Sequence, residues 1–388
     1  MKIIFLSHTD SNLYRFRLPV MIELVRLGNE VIALIPKGED FDKFAKHQIK
    51  AISYPINRSS LNPFGALKTI QNIAEILKKE KPDILHTFML KPNIYGALAT
   101  KLVSPPISVI NSLTGLGSFY IQEGLKAQAF RVLLEFLNRI AFSIAKKVLF
   151  QNQDDLELFV TKGLLPQNKA VLIRGSGINT QEFMPLSQEE RITYREKLEI
   201  PQDSCVVLMI ARAIVHKGVR EYYQAAKILC KNLSEKKQNN KLVFLYVGGI
   251  DRGNIAPITE EFFTQNPQVR YLGHREDIRE LLGVCDIFVL PSYREGIPRT
   301  LLEAGSMEKP LITTNAVGCK EVVNPDINGF LIEVGDFQNL AQKIALLAED
   351  KPLRESMGKA SRQKILEEFA IEPIIQAYLK LYQEVENV

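Results

Sequence analysis

The sequence has little of what marks several large protein classes. Only four cysteines occur in 388 residues, Cys205, Cys230, Cys285 and Cys319. They are scattered, form no C-x-x-C pair and have no histidine at ligand spacing, so buried structural thiols are expected rather than a disulfide framework or a zinc site. Charge of one sign is not in large excess: 49 Lys and Arg stand against 44 Asp and Glu, a net +5. Nucleic-acid binders concentrate far more positive charge, so no nucleic-acid partner is expected. The first strand is followed by no G-x-G-x-x-G turn, which argues against a dinucleotide-dependent oxidoreductase. No metal-ligand cluster is visible, so neither a metal nor another cofactor is expected. Long apolar runs are missing too. Residues 102–122 carry no charge, but Pro105, Pro106, Gly115 and Gly117 interrupt them and exclude a membrane span. The opening "MKIIFLSH" has too short an apolar run for a signal peptide and reads as a strand. A cytoplasmic, non-spanning protein is the expectation.

What is present is a strong alternation. A length of 388 residues with 46% hydrophobic residues suits two domains with separate cores. In the first half, strand-like "KIIFLS", "EVIALIP", "KAISYP" and "DILHTF" alternate with helical patterns over 16–27, 41–47 and 63–80. The rhythm resumes with "CVVLMIA", a helix over 219–232, "KLVFLYVGG", "VRYLG", a helix over 277–283, "DIFVLP", another helix, "PLITTN" and "GFLIEV". This is the pattern of parallel sheets covered by helices on both faces, an α/β protein with two Rossmann-like halves. Residues 176–196 read as a polar connection, and the last residues, from Ile371, as an amphipathic helix.

Open parallel sheets bind ligands beyond the carboxyl ends of their strands, so the loops there hold the candidate residues. In "MIARAIVHKGV", Arg212 and Lys217 follow a strand and supply two cations that match a diphosphate; the alternative is two solvated cations on a turn. In "SYREGIPRTLLEAGS", Glu295 lies just past another strand, and Gly296 lets backbone approach a ligand. Pro298 is placed for the first helical position, which puts Glu303 more than one turn into the helix. A carboxylate at Glu295 can accept from sugar hydroxyls, and one at Glu303 from a pair such as those of a ribose, although Glu-x7-Glu also arises by chance on helices. In the first half, His8, Asn12, Arg15 and Arg17 follow the first strand, where arginine suits an acceptor diphosphate; surface charge on a helix is the other reading of Arg15 and Arg17. "TGLGSF" offers backbone at Gly115 and Gly117. Between Lys126 and Lys147 five cations face a single acid, Glu135, among many apolar residues. That suits an anionic membrane surface, a core helix with charged ends being the alternative.

Arg212 and Lys217, "YVGG", "YLGHRED", "DIFVLPSYREGIPRTLLEA" and "VGCKEVV" occur in an order and spacing that strongly resemble the family 4 retaining glycosyltransferases. The resemblance implies a GT-B fold, two Rossmann-like domains whose parallel sheets face each other across a cleft. The expected limits are an acceptor-binding domain over 1–180, a nucleotide-sugar-binding domain over 181–370 and a helix over 371–388 that crosses back to the first domain. It further implies Arg212 and Lys217 on the donor diphosphate, Glu295 on the donor sugar and Glu303 on the ribose. Gly296, Ile297 and Pro298 would give backbone contacts, Gly248 would line the donor site, and the region of His274 and Arg275 would hold the base. "FLSHTDSNLYRFRLPV", "NRSSLNPFGALKTI" and "GLGSFYIQEG" are similar to the bacterial N-acetylgalactosaminyltransferases of N-linked protein glycosylation. That likeness implies UDP-N-acetylgalactosamine as donor, undecaprenyl-diphosphate-linked N,N′-diacetylbacillosamine as acceptor, and work at the cytoplasmic face of the inner membrane. A transferase extending another lipid-linked saccharide of capsule or O-antigen, a UDP-sugar epimerase, and a non-catalytic sugar-binding protein remain the alternatives.

Overall fold

The computed structural model describes residues 1–57, 60, 62–116, 120–121, 124–235, 241–251 and 256–386. The chain divides into two compact units, residues 1–176 with 371–388, and residues 177–370.

In unit 1, seven strands form one parallel sheet: β1 (Lys2–Leu6), β2 (Glu30–Ile35), β3 (Lys50–Ser53), β4 (Ile84–Phe88), β5 (Ser108–Leu113), β6 (Lys147–Phe150) and β7 (Ala170–Leu172). The order is β3-β2-β1-β4-β5-β6-β7. The central strands are buried on both faces, as a parallel sheet between helical layers requires, which is why "IIFL" and "ILHTF" do not alternate with solvent-facing residues. The helices are α1 (Asp10–Phe16), α2 (Leu18–Arg26), α3 (Pro63–Glu80), α4 (Leu90–Thr100), α5 (Leu125–Ile144) and α6 (Gln153–Thr161).

Unit 2 has a six-stranded parallel sheet of β8 (Cys205–Ile210), β9 (Leu242–Val247), β10 (Arg270–Tyr271), β11 (Ile287–Leu290), β12 (Leu311–Thr314) and β13 (Gly329–Ile332). Its helices are α7 (Gln188–Lys197), α8 (Val219–Glu235), α9 (Glu260–Thr264), α10 (Ile278–Val284), α11 (Arg299–Ser306), α12 (Phe337–Glu349) and α13 (Lys351–Glu368). Helix α14 (Ile371–Glu386) returns to unit 1. It buries Ile374, Tyr378, Leu381, Tyr382 and Val385 there, one stripe at helical spacing. At roughly 1.5–3 kcal/mol for each large apolar side chain, that stripe is a substantial share of the core of unit 1.

Several local expectations need correction. The helix expected over 16–27 forms as Leu18–Arg26, and a separate helix, Asp10–Phe16, precedes it across a break at Arg17 (φ −123°, ψ −13°). Pro19 has no N–H to give the carbonyl four residues earlier and sits in the first turn of α2, where that donor is not needed, which favours a new helix start over a continuous helix. The helix expected over 41–47 forms with those bounds, wound as a 3-10 helix. Pro298 caps α11 in an extended conformation (ψ 113°) instead of occupying its first turn, which starts at Arg299. The polar connection expected over 176–196 contains most of α7, closed by a capping box between Ser187 and Glu190. Arg191 and Arg195 of that helix bind the two carboxylate oxygens of Asp286, each at 2.7 Å, so charge anchors the segment to unit 2.

Candidate active site

The strand order of unit 2 reverses between β8 and β11, since β9 and β10 lie to one side and β12 and β13 to the other. Loops leaving adjacent strands diverge at such a point and open a crevice beyond the carboxyl ends. Lys217 ends a short 3-10 turn after β8, and Glu295 lies in the loop after β11. Lys217 Nζ donates to Glu295 Oε1 in an ion pair whose side chains are 18% and 12% exposed.

Backbone ties hold the two loops together. Tyr293 N–H donates to the His216 carbonyl at 2.9 Å, and Ser292 Oγ donates to the same oxygen at 3.1 Å. Gly218 adopts φ +75°, and a Cβ there would stand 2.0 Å from the Pro291 carbonyl oxygen. Only glycine permits both that conformation and that approach. On the other side, Glu295 N–H donates to the Val317 carbonyl at 2.9 Å, and a Cβ on Gly318 (φ +79°) would meet the Gly296 oxygen at 2.2 Å. The Tyr293 hydroxyl donates to Glu221 Oε1 at 2.8 Å, and burial followed by this bond pushes the phenol up to about 12.

Glu303 lies on α11 and is 8% exposed. Burial raises its carboxyl above the ordinary carboxylate range. Arg299 opposes that by charge and by a 2.8 Å bond from Nε to Oε1, and Glu182 adds to the rise. The remaining donor candidates are placed differently. Arg212 is 58% exposed and pairs with Asp251 at 2.9 Å. Arg275 Nε donates to Asp277 Oδ1 at 2.7 Å, and His274 is exposed. No hydrogen bond or ion pair among the described residues joins these three to Lys217 or Glu295. Gly248 donates its N–H to the Gly273 carbonyl at 2.8 Å, and a Cβ there would sit 1.7 Å from the Ala211 oxygen, so it packs the ends of β8 and β9 together. Ile297 packs against the core of unit 2.

In unit 1, His8 follows β1 and is half-buried, and Asn12 Oδ1 accepts from Ser7 Oγ at 3.4 Å. Arg15 is exposed on α1, whereas Arg17 is 2% exposed. The surface-charge reading therefore fits Arg15 and not Arg17. Gly115 adopts φ +116°, and Gly117 lies outside the described residues. Helix α5 turns Leu125, Val132, Leu133 and Phe136 outward, at 84, 65, 51 and 59% exposure, with Lys126 and Arg139 also exposed. Its single acid, Glu135, is taken up by Lys162 at 2.5 Å and by the Tyr120 hydroxyl. Of the cysteines, Cys205, Cys285 and Cys319 are buried thiols, Cys230 is half-buried, and all four are free. Among the described residues no three His, Cys, Asp or Glu side chains could hold a metal ion, and no helix is long and apolar enough to cross a membrane.

Gly218, Gly318, Tyr293, Glu221 and Arg299 were not singled out from the sequence. The glycines carried a usable signal, since Gly218 follows directly on Lys217 and Gly318 lies within "VGCKEVV". The tyrosine and its carboxylate are 72 residues apart, so no local pattern links them.

Residues 2–152 match the family described as Glycosyl transferase 4-like, and residues 190–364 the one described as Glycosyl transferases group 1. The chain is 36% identical to a Campylobacter jejuni N,N'-diacetylbacillosaminyl-diphospho-undecaprenol alpha-1,3-N-acetylgalactosaminyltransferase, over 99% of each chain. It is 26% identical to an Escherichia coli UDP-Gal:alpha-D-GlcNAc-diphosphoundecaprenol alpha-1,3-galactosyltransferase over 94% of each. A Rickettsia africae glycosyltransferase of known structure superposes with a TM-score of 0.78 at 25% identity, covering 99% of this chain and 98% of that one. Matched over its whole length in sequence and in fold, with a lysine and a glutamate joined at the switch point of its second sheet, the chain belongs to the family 4 glycosyltransferases of GT-B fold.

Proposed function

We propose that the chain transfers N-acetylgalactosamine from UDP-N-acetylgalactosamine, with retention, to undecaprenyl-diphosphate-linked N,N′-diacetylbacillosamine at the cytoplasmic face of a bacterial inner membrane. The observation that carries the transfer chemistry is the Lys217–Glu295 pair at the switch point of unit 2. The whole-length likeness to the Campylobacter jejuni protein supports the choice of donor and acceptor. In this reading Lys217, with Arg212 released from Asp251, takes the donor diphosphate, and the cations serve the leaving group without a metal. The backbone of Gly296, Ile297 and Pro298 lines the donor sugar, Glu303 accepts from the ribose hydroxyls, and Gly248, His274 and Arg275 border the site. The bond from the anomeric carbon to the diphosphate breaks, and UDP leaves with the electron pair. The acceptor hydroxyl attacks from the same face and passes its proton to the departing diphosphate. Glu295 supports the oxocarbenium-like charge between those events. In unit 1, His8, Asn12, Arg15, Arg17, Gly115 and Gly117 receive the acceptor, and α5 meets the anionic membrane surface.

Radiolabelled UDP-sugars incubated with and without lipid-linked acceptor test the reading. Label is expected in the lipid fraction only with acceptor present, with UDP-N-acetylgalactosamine preferred, and unaffected by EDTA. Epimerised donor without acceptor, or binding without turnover, would replace transfer by one of the other two chemistries. Strict dependence on added Mg²⁺ or Mn²⁺ would refute the metal-free leaving group. A second reading follows from the Escherichia coli relative, whose name specifies a different sugar and lipid-linked acceptor. Transfer of galactose to an N-acetylglucosamine-linked lipid, in the same assay, would favour it.

A further inference from the structure

Arg17 is 2% exposed, and among the described residues its guanidinium makes no hydrogen bond and no ion pair; Nε and Nη1 are wholly buried. Its contacts are aromatic. The guanidinium carbon lies 5.1 Å from the centre of the Phe88 ring and 5.9 Å from that of Tyr378. Attraction to ring faces is weaker than the cost of withdrawing a full charge from water, so the rings alone leave this cation uncompensated. Its neighbours do not supply the missing acceptor. His86 uses one ring nitrogen on Tyr382 and the other on Ser112, both at 2.7 Å. The Tyr378 hydroxyl, contributed by the C-terminal helix α14, is likewise buried without a partner.

The location gives this orphan cation a meaning. The strand order of unit 1 reverses between β1 and β4. Phe88 is the last residue of β4, and Arg17 joins the two helices that follow β1. Arg17 therefore stands at the switch point of the first sheet, where a doubly wound fold receives its ligand. A guanidinium presents a planar fork that matches two oxygens of a phosphoryl group, and a phenol adds one neutral donor.

We propose that Arg17, with Tyr378 of α14 packed against it, binds a phosphoryl oxyanion at the switch point of unit 1. The C-terminal helix then contributes a ligand-binding group as well as packing. The anion belongs either to the diphosphate of a lipid-linked acceptor, an assignment that rests on the transferase reading, or to free pyrophosphate or phosphate.

Thermal unfolding of the full chain, titrated with inorganic pyrophosphate under saturating UDP so that the donor diphosphate site stays filled, tests the site. Pyrophosphate is expected to raise the parent's melting temperature. Arg17→Met should melt higher than the parent without pyrophosphate, because an uncompensated buried charge is gone, and should not respond to it. Tyr378→Phe should melt no lower than the parent, since it removes an unpartnered buried hydroxyl, and should bind pyrophosphate about three- to tenfold more weakly, the loss of one hydrogen bond. An Arg17→Met variant that melts lower and keeps the response would make Arg17 a structural cation and overturn the proposal. Should Arg17→Met not fold, Tyr378→Phe decides alone, and unchanged pyrophosphate affinity overturns it. Competition between pyrophosphate and a short-chain polyprenyl-diphosphate saccharide assigns the site to the acceptor; simultaneous binding assigns it to the free anion. A parent that transfers sugar but shows no pyrophosphate response sinks the anion site and leaves the transferase reading standing, and a response without transfer does the reverse.

Discussion

Lys217 and Glu295 hold each other before any substrate arrives, so each is the other's electrostatic partner as well as a candidate ligand of the donor. Lys217→Ala should lower turnover by about a hundredfold through lost stabilisation of the leaving diphosphate. Glu295→Gln should depress kcat while UDP affinity is nearly kept, the mark of an interaction made mainly in the transition state. Because the two act as a unit, the double variant should be little worse than the worse single one, and a double-mutant cycle on kcat whose losses simply add would show that they work independently. Glu303 predicts a different signature. Glu303→Gln should weaken UDP binding itself, since the proposed ribose contact would be present before, during and after transfer. Burial holds the Glu303 carboxyl above its ordinary range, against the pull of Arg299 and with the push of Glu182. Protonation replaces an acceptor by a donor, so UDP affinity should fall as pH falls through that raised value, and the fall should begin above the usual carboxylate range. Calorimetry over a series of pH values from neutral into the acid range should find Glu303→Gln flat and Arg299→Leu shifted further upward. A parent curve without acid loss would remove Glu303 from the ribose.

At the scale of elements, α5 departs from the usual amphipathic helix, for besides the inward Ala141 and Phe142 its outward face carries Leu125, Val132, Leu133 and Phe136. Singly exposed apolar residues are ordinary, but four on one helix beside Lys126 and Arg139, with the only acid tied down by Lys162, make a surface suited to anionic lipid. Sedimentation with anionic liposomes should fall as salt rises, because exposed charge is screened over about 8–10 Å at physiological ionic strength. Val132→Asp combined with Phe136→Asp should abolish binding while UDP affinity, which the proposed donor site assigns to unit 2, is unchanged. Binding by the double variant equal to the parent's would return this face to ordinary solvent.

For the molecule as a whole, α14 ties the last residues of the chain to the first sheet. Its Tyr382 hydroxyl meets the fully buried His86 on β4. Burial first, and the nearby Arg17 charge second, hold the His86 imidazole well below its ordinary value, so it stays neutral in the fold. The unfolded chain takes up a proton there near the usual pKa. Stability from this residue is thus full above about pH 6.5 and falls by about 1.4 kcal/mol per pH unit below it, until the folded value is reached. Urea unfolding at a series of pH values should show that slope in the transition of unit 1 and lose it in His86→Phe. An undiminished slope in the variant would place the acid sensitivity elsewhere.

The strands that read clearly from sequence were those whose burial on both faces leaves uninterrupted apolar runs, such as "CVVLMI" and "DIFVLP", because a short-range composition encodes them. Strand β5, "SVINSL", carried no such signal. Its Asn111 and Ser112 are buried because Thr87 and His86 of β4 supply their hydrogen bonds at 2.8 and 2.7 Å, and a local window cannot see those partners. Lys217, Glu295 and Glu303 were legible, since loops beyond strand ends and a cation or carboxylate of the right type are local facts. That Lys217 touches Glu295, that Arg299 rather than solvent faces Glu303, and that Arg17 is a buried cation between two rings were decided only by tertiary structure. Residue order specifies which side chains are near a strand end. Which charge is compensated, and by what, depends on strand order and on a helix that returns from the far end of the chain.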